Sequence, residues 1–199
     1  MSKRAFDAAF SLLGLVCLLS GFLLIAVLIL ILDGRPVLFR QTRIGRAGRP
    51  FSLFKFRTMI PASAEGGGGG FEPGDSRRVT SFGRFLRRTK IDEWPQLFNV
   101  LKGDMSMVGP RPEVPKWVAA YPRRWAAVHR VKPGITDPAS IVFRNEEELL
   151  AAAADPEALY RNEILPRKLD LYEQYAEGPP RFGRDLGLIL KTIAAVLKL

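Results

Sequence analysis

The chain has one cysteine and one histidine in 199 residues. Cys17 lies inside an apolar run, so there is no disulfide and no cysteine-based metal site. His129 stands alone and cannot build a histidine-rich one. Any metal must therefore be held by carboxylates, and carboxylate with phosphate suits Mg2+ best. A phosphate-binding glycine loop is also missing. The five consecutive glycines Gly66–Gly70 are followed by no Gly-Lys-Ser/Thr, so residues 61–76 read as a flexible connector or a mobile lid. There is no internal repeat and no nucleic-acid-binding motif. No small-residue cleavage site precedes Asp33, and the N-terminal apolar run is too long for the core of a secretory signal.

What the chain does have is positive charge. Thirty Lys and Arg against twenty Asp and Glu give a net charge of +10 and a pI near 10.2. An anionic partner follows, and nucleic acid, anionic lipid and phosphorylated substrate all qualify. The length predicts one domain with a real core.

From Ala8 to Leu32 no residue is charged, and at 1.5 Å per residue that run reaches about 37 Å, enough to cross a bilayer. Two features complicate a plain spanning helix. Basic residues flank both ends, Lys3 and Arg4 before it and Arg35, Arg40, Arg43 and Arg46 after it, so both ends are drawn to the cytoplasmic side. Ser20-Gly21 near the middle is a usual place for a sharp bend, and arms of about 18 Å are too short to span. A spanning helix and one that dips into a single leaflet both fit.

Val37–Ile44 and Phe51–Thr58 read as the strands of a hairpin. Alternation puts Lys55 and Arg57 on one face and Phe54 and Phe56 on the other. The basic face either is solvated or lines an anion site. Val79, Phe82, Phe85 and Leu86 recur at helical spacing among arginines, as in a helix lying on a membrane surface; a nucleic-acid-binding helix shows the same pattern. The spacing predicts one helix over Lys116–Arg130 with Trp117, Tyr121 and Trp125 at one-turn intervals, either in a membrane-interface belt or, by default, packed inside the domain. Glu146–Ala154 reads as helix and Leu159–Tyr175 as broken helix. The C-terminal segment from Arg184 reads as an amphipathic helix with a cationic edge.

The centre of the chain is Arg87–Glu113. Asp92 and Glu93 follow a basic run and precede Pro95, which is tolerated only near a helix start. There the dipole and free N–H groups favour anions and hold a carboxylate ionised. An ionised Asp beside a phosphate site and ringed by arginine has the makings of a nucleophile. The plain alternative is that Asp92 caps the helix and Glu93 pairs with Lys90.

Several motifs occur in order: Lys3-Arg4-x-x-Asp7, Phe39-Arg40-Gln41-x-Arg43-Ile44-Gly45, Lys55-Phe56-Arg57-Thr58-Met59, Asp92-Glu93-x-Pro95-Gln96 through Ser106, Val108-Gly109-Pro110-Arg111-Pro112, and Lys132-Pro133-Gly134-Ile135-Thr136. Together they resemble the small monotopic phosphoglycosyl transferases, the bacterial sugar transferase family, over nearly the whole chain. The resemblance implies an α+β, mostly helical fold: a re-entrant N-terminal membrane helix, a small β-hairpin, and amphipathic interfacial helices around the active site. Residues 1–34 would be membrane-embedded and residues 35–199 a catalytic domain resting on the cytoplasmic face of the bacterial inner membrane.

The implied activity is transfer of a sugar 1-phosphate from a UDP-sugar to polyprenyl (undecaprenyl) phosphate, with release of UMP. By position, Asp92 would be the nucleophile and Glu93 the Mg2+ ligand. Lys55, Arg87 and Arg111 would line the phosphate site, and Asp170 would be a further acidic residue there. Ser20-Gly21 stands where the family usually has Ser-Pro at the helix break. Glycine permits the bend that proline would enforce. Asp137-Pro138-Ala139-Ser140 also departs from the usual Gly-[Leu/Trp]-Ala-Gln. Membrane lipids are implied partners, nucleic acid is not, and a homodimer is compatible. A membrane-anchored basic scaffold without catalysis is the rival reading; it leaves the ordered motifs unexplained.

Overall fold

The computed structural model describes residues 3–60, 78–178 and 182–197. The glycine-rich stretch read as a connector or lid lies outside them, as does Lys198 of the expected cationic edge.

The chain opens with two apolar helices, α1 (Lys3–Cys17) and α2 (Leu19–Leu32), bent by 60° at a break between them. Neither is long and apolar enough to cross a membrane alone. The break falls at Leu18, not at Ser20-Gly21, which lie in the first turn of α2. Gly21 is small for another reason. A Cβ there would sit 2.9 Å from Cζ3 of Trp94, and one on Gly14 would sit 3.2 Å from Leu97 Cδ1. Both glycines let the apolar helices close on the segment that carries Asp92.

Both ends of this pair are tied to the basic domain by polar bonds. At the start, Lys3 pairs with Asp185 and Arg4 donates to the Val100 and Leu101 carbonyls. The buried Asp7 accepts from Ser106 Oγ and the Met107 N–H. At the end, the Arg57 guanidinium donates to the carbonyls of Asp33, Gly34 and Arg35, and Thr80 Oγ1 donates to the Asp33 carboxylate. Arg57 is thus buried as a clasp rather than displayed on an anion-facing strand. The outward side of the pair, including Leu12, Val16, Leu23, Leu24 and Ile31, is exposed.

Strands β1 (Leu38–Ile44) and β2 (Pro50–Phe56) form the expected antiparallel hairpin, with Phe39 opposite Lys55. The face carrying Lys55 also carries Leu53, which is buried against Val100 and Met105. It points into the protein, so the solvated alternative for that face falls. Helix α3 (Ser81–Arg88) is capped by Thr80, whose hydroxyl accepts from the Gly83 N–H. Lys90 then turns the chain in a left-handed conformation (φ 59°) into a 3-10 turn, Ile91–Glu93, and α4 (Gln96–Lys102) follows.

β3 (Ser106–Val108) pairs in parallel with β4 (Gly134–Thr136). Between them lie α5 (Pro115–Ala120) and α6 (Pro122–Val128), two helices where the aromatic spacing predicts one. Pro122 explains the split: it lacks the N–H a continuing helix needs and starts the second helix instead. Prolines open α7 (Pro138–Val142) and α9 (Pro156–Leu159) as well, with α8 (Glu146–Ala152) between them. The broken helix expected over Leu159–Tyr175 is present as α9, a π turn at Tyr160–Ile164, and α10 (Leu165–Glu177). Trp117, Trp125, Leu169 and Tyr172 are buried in the largest apolar core.

In α11 (Phe182–Leu197), Asp185 is buried against Lys3 and Tyr175, and Ile189 joins a second core with Phe6 and Val108. That side of α11 packs on the domain, which the reading as an amphipathic helix with a cationic edge did not foresee.

Candidate active site

Asp92 and Glu93 are both buried, and side chains from three separate elements converge on them. Lys55, on β2, is held to α4 through Asn99. The Asn99 side chain accepts from the Phe54 N–H at 3.0 Å and donates to the Ser52 carbonyl at 2.7 Å. An amide in mid-helix serving a strand edge in this way was not legible as functional. Its effect is to bring Lys55 Nζ to 2.9 Å from Glu93 Oε1 and 3.9 Å from Asp92 Oδ2.

Arg111 comes from the Gly109-Pro110-Arg111-Pro112 turn, which is clamped on both sides. Gly109 N donates to the Thr136 carbonyl and Gly134 N to the Pro110 carbonyl. Beyond the turn, Arg43 donates to the Pro112 carbonyl and to Glu113, whose other oxygen accepts from the Tyr160 hydroxyl. From this base Arg111 binds Glu93 with two nitrogens, one of them at 3.3 Å. Glu93 therefore pairs with Lys55 and Arg111, not with Lys90.

The two adjacent carboxylates are in opposite electrostatic states. Burial pushes Glu93 up, but Arg111 and Lys55 outweigh it and hold the carboxyl well below its ordinary value. For Asp92 burial wins. Its pKa is raised despite the pull of Lys55, with Glu93 pushing the same way as burial. The expectation that helix-terminal N–H groups hold Asp92 ionised is not met. The N–H groups of Glu93 and Trp94 go to the carbonyls of Lys90 and Ile91. Asp92 Oδ1 is buried with no hydrogen-bond partner among the described residues. Burial lowers the Lys55 pKa, and Glu93 raises that of Arg111.

Arg87 lies near enough to act on Asp92 and sits 3.8 Å from Glu147 on α8. Asp170 is placed differently: it is exposed on α10 and pairs with Arg124, alongside Glu173. The structure thus gathers Lys55, Arg87 and Arg111 around Asp92 and Glu93, with Asp170 in a separate ion-pair group. Sequence reasoning missed two neighbours. Gln96, four residues after Asp92, is buried with its amide nitrogen unpartnered among the described residues, and Asp137 is buried within reach of the Arg111 charge.

The family model for bacterial sugar transferases matches residues 1–199. The chain belongs to the bacterial sugar transferase family. It is 44% identical over 144 residues to the uncharacterized sugar transferase EpsL of Bacillus subtilis, covering 72% of this chain and 69% of that protein. It is 36% identical over 201 residues to a UDP-glucose:undecaprenyl-phosphate glucose-1-phosphate transferase of Caulobacter vibrioides, covering 99% of this chain and 70% of that one. An undecaprenyl-phosphate glucose phosphotransferase of Komagataeibacter xylinus is 43% identical over 147 residues, which is 71% of this chain but 28% of that longer protein. Membership makes the chain a transferase, and Asp92 and Glu93 lie buried with Lys55, Arg87 and Arg111 around them.

Proposed function

We propose that this chain transfers a sugar 1-phosphate from a UDP-sugar to polyprenyl phosphate, of the undecaprenyl type, in two steps through Asp92. In the first step an Asp92 oxygen attacks the β-phosphorus, the bond from that phosphorus to the bridging oxygen breaks, and UMP leaves. In the second step an oxygen of the lipid phosphate attacks the same phosphorus. The bond to Asp92 breaks, giving a lipid diphosphate sugar and restoring the carboxylate. The observation that carries this reading is the contrast within the pair: both Glu93 oxygens are held by Lys55 and Arg111, while Asp92 keeps a buried oxygen without a partner among the described residues. A buried oxygen with nothing to bind is poorly solvated, which suits a nucleophile. Lys55, Arg87 and Arg111 neutralise the transferring phosphoryl group as charge develops on it.

Among the described residues no group of three or more His, Cys, Asp or Glu side chains can hold a metal ion. The pair Asp92–Glu93 still fits Mg2+, which is ordinarily held by one or two carboxylates with substrate phosphates and water. When bound, Mg2+ would supply charge neutralisation on the diphosphate, with Glu93 as its protein ligand.

The apolar pair is read as re-entrant. Both of its ends bond to one folded domain. Arms of about 22 Å bent by 60° put the apex only about 11 Å from the line joining the ends, well short of the roughly 30 Å hydrocarbon core. With its exposed apolar side in one leaflet, this part would hold the site at the level of the lipid phosphate, on the cytoplasmic face of the inner membrane.

Asp92→Asn tests the reading. UMP release and formation of the lipid-linked sugar should both vanish, and a variant that still makes the lipid product would refute the role of Asp92.

A further inference from the structure

Glu93 presents a difficulty that points beyond the dyad. A carboxylate has about four lone-pair positions, and Lys55 and Arg111 already occupy three on Glu93. One position on Oε2 stays open, but to present both oxygens to a divalent cation Glu93 must release a donor, and a guanidinium released into a buried site needs another anion. Lys55 has one in Asp92, 3.9 Å away. For Arg111 the other carboxyl group whose charge acts on it, after Glu93, is Asp137.

Asp137 is 1% exposed. Its Oδ1 does all its visible structural work, accepting from the N–H groups of Ala139 and Ser140 at 2.8 and 2.9 Å and from the Tyr172 hydroxyl at 3.2 Å. Its Oδ2 is buried and bonds to nothing among the described residues. A helix cap needs one oxygen and no charge, so a serine or asparagine would serve, and leaving a buried acceptor unmet is itself destabilising.

The backbone presses the segment leading to this carboxylate against the turn that carries Arg111. A Cβ on Gly109 would lie 2.3 Å from the Lys132 carbonyl oxygen, and one on Gly134 would lie 2.1 Å from the Gly109 nitrogen. The turn carrying Arg111 and the strand leading to Asp137 are therefore pressed together with no room for a side chain between them. Burial pushes the Asp137 carboxyl up, and among the cations opposing that rise Arg111 acts most strongly, ahead of Lys168.

We propose that Asp137 is a positioning residue, the alternative carboxylate that takes the Arg111 guanidinium when Glu93 turns to a divalent cation. This rests on the function proposed above. In the resting arrangement Arg111 locks Glu93. On loading, Arg111 swings toward the vacant Oδ2 without losing its counter-charge, stays near the substrate phosphates, and leaves Glu93 free to ligate.

The test measures cation binding without turnover. Wild-type protein in detergent is titrated with Mn2+ alone and free Mn2+ is read by electron paramagnetic resonance, alongside Asp137→Asn and Asp137→Ser. Both substitutions keep an oxygen for the cap and remove the charge, and thermal unfolding reports whether the fold is kept. We expect both variants to bind Mn2+ about 10-fold more weakly. The Mg2+ concentration for half-maximal UMP release should rise by a similar factor, with a smaller change in kcat at saturating Mg2+. Mn2+ affinity equal to wild type in either variant overturns the inference, since loss in the asparagine variant alone would trace to the introduced amide. A wild-type protein that binds no Mn2+ removes the metal-dependent function itself, and this inference with it. Wild-type binding with unchanged variants sinks this inference alone.

Discussion

Gly21→Ala is the substitution that best tests the contact between the apolar helices and the site. The new Cβ would lie 2.9 Å from Trp94 Cζ3 and 3.4 Å from Cη2. Carbon atoms pack at about 3.5–4.0 Å, so the indole must retreat by roughly 0.6–1.1 Å. Trp94 is not free to do so at will, because it packs in a cluster with Phe22, Ile25 and Leu86. Overpacking of this kind costs about 1–3 kcal/mol, while Ala in place of Gly returns about 1 kcal/mol of helix propensity. The net change in stability is therefore small, at most about 2 kcal/mol. Activity is the more sensitive readout. Trp94 is two residues from Asp92, and a displacement near 1 Å at a catalytic group can cost about 100-fold. UMP release should fall by 10- to 100-fold while the melting temperature moves by a few degrees. Trp94→Phe, with its smaller ring, should restore much of the loss in the double variant, giving a favourable coupling of about 1–2 kcal/mol. A fully active Gly21→Ala protein, or strictly additive effects, would refute the packing argument.

Four further outcomes follow. Asp92 must be ionised to attack and its pKa is raised, so the acid limb of the activity profile should lie above the ordinary 3.8. Lys55 must be charged and is lowered, so the alkaline limb should lie below 10.5, and a profile as broad as the unperturbed values would contradict both assignments. Glu93, held low in the folded protein, contributes stability that is present above its unfolded value near 4.5 and is lost as pH falls through its folded value, which thermal unfolding against pH will read. Gly134→Ala would place Cβ 2.1 Å from immovable backbone and should destabilise by more than about 3 kcal/mol, with soluble expression and melting temperature as the measures. Tags before Lys3 and after Leu199 should both be accessible from the cytoplasm, and protease protection of the N-terminal tag on the far side would mean a spanning helix.

Much of this architecture is written in local pattern. Alternation marks the hairpin, the prolines mark helix starts, and the position of Asp92-Glu93 between a basic run and Pro95 marks the pair. The errors share one cause, which is contact between residues distant in the chain. Gly21 reads as a bend because a glycine in an apolar helix carries no sign of the indole packed on it. Arg57 reads as half of an anion-binding face because alternation cannot show that its partners are the carbonyls at the end of α2. Asp137 reads as a departure from the family pattern, and only the fold buries it where the Arg111 charge acts on it. Pro122 is the exception, since the split between α5 and α6 was visible in the sequence and was overridden by the aromatic spacing.

The central claim is that Asp92 carries the phosphosugar between donor and lipid. Intact-protein mass spectrometry after incubation with a panel of UDP-sugars and Mg2+, without lipid acceptor, tests it most directly. The account predicts an added sugar phosphate that maps to the peptide containing Asp92, disappears when polyprenyl phosphate is supplied, and is absent from Asp92→Asn. Turnover of a UDP-sugar without any such adduct, or an adduct on another residue, would contradict it.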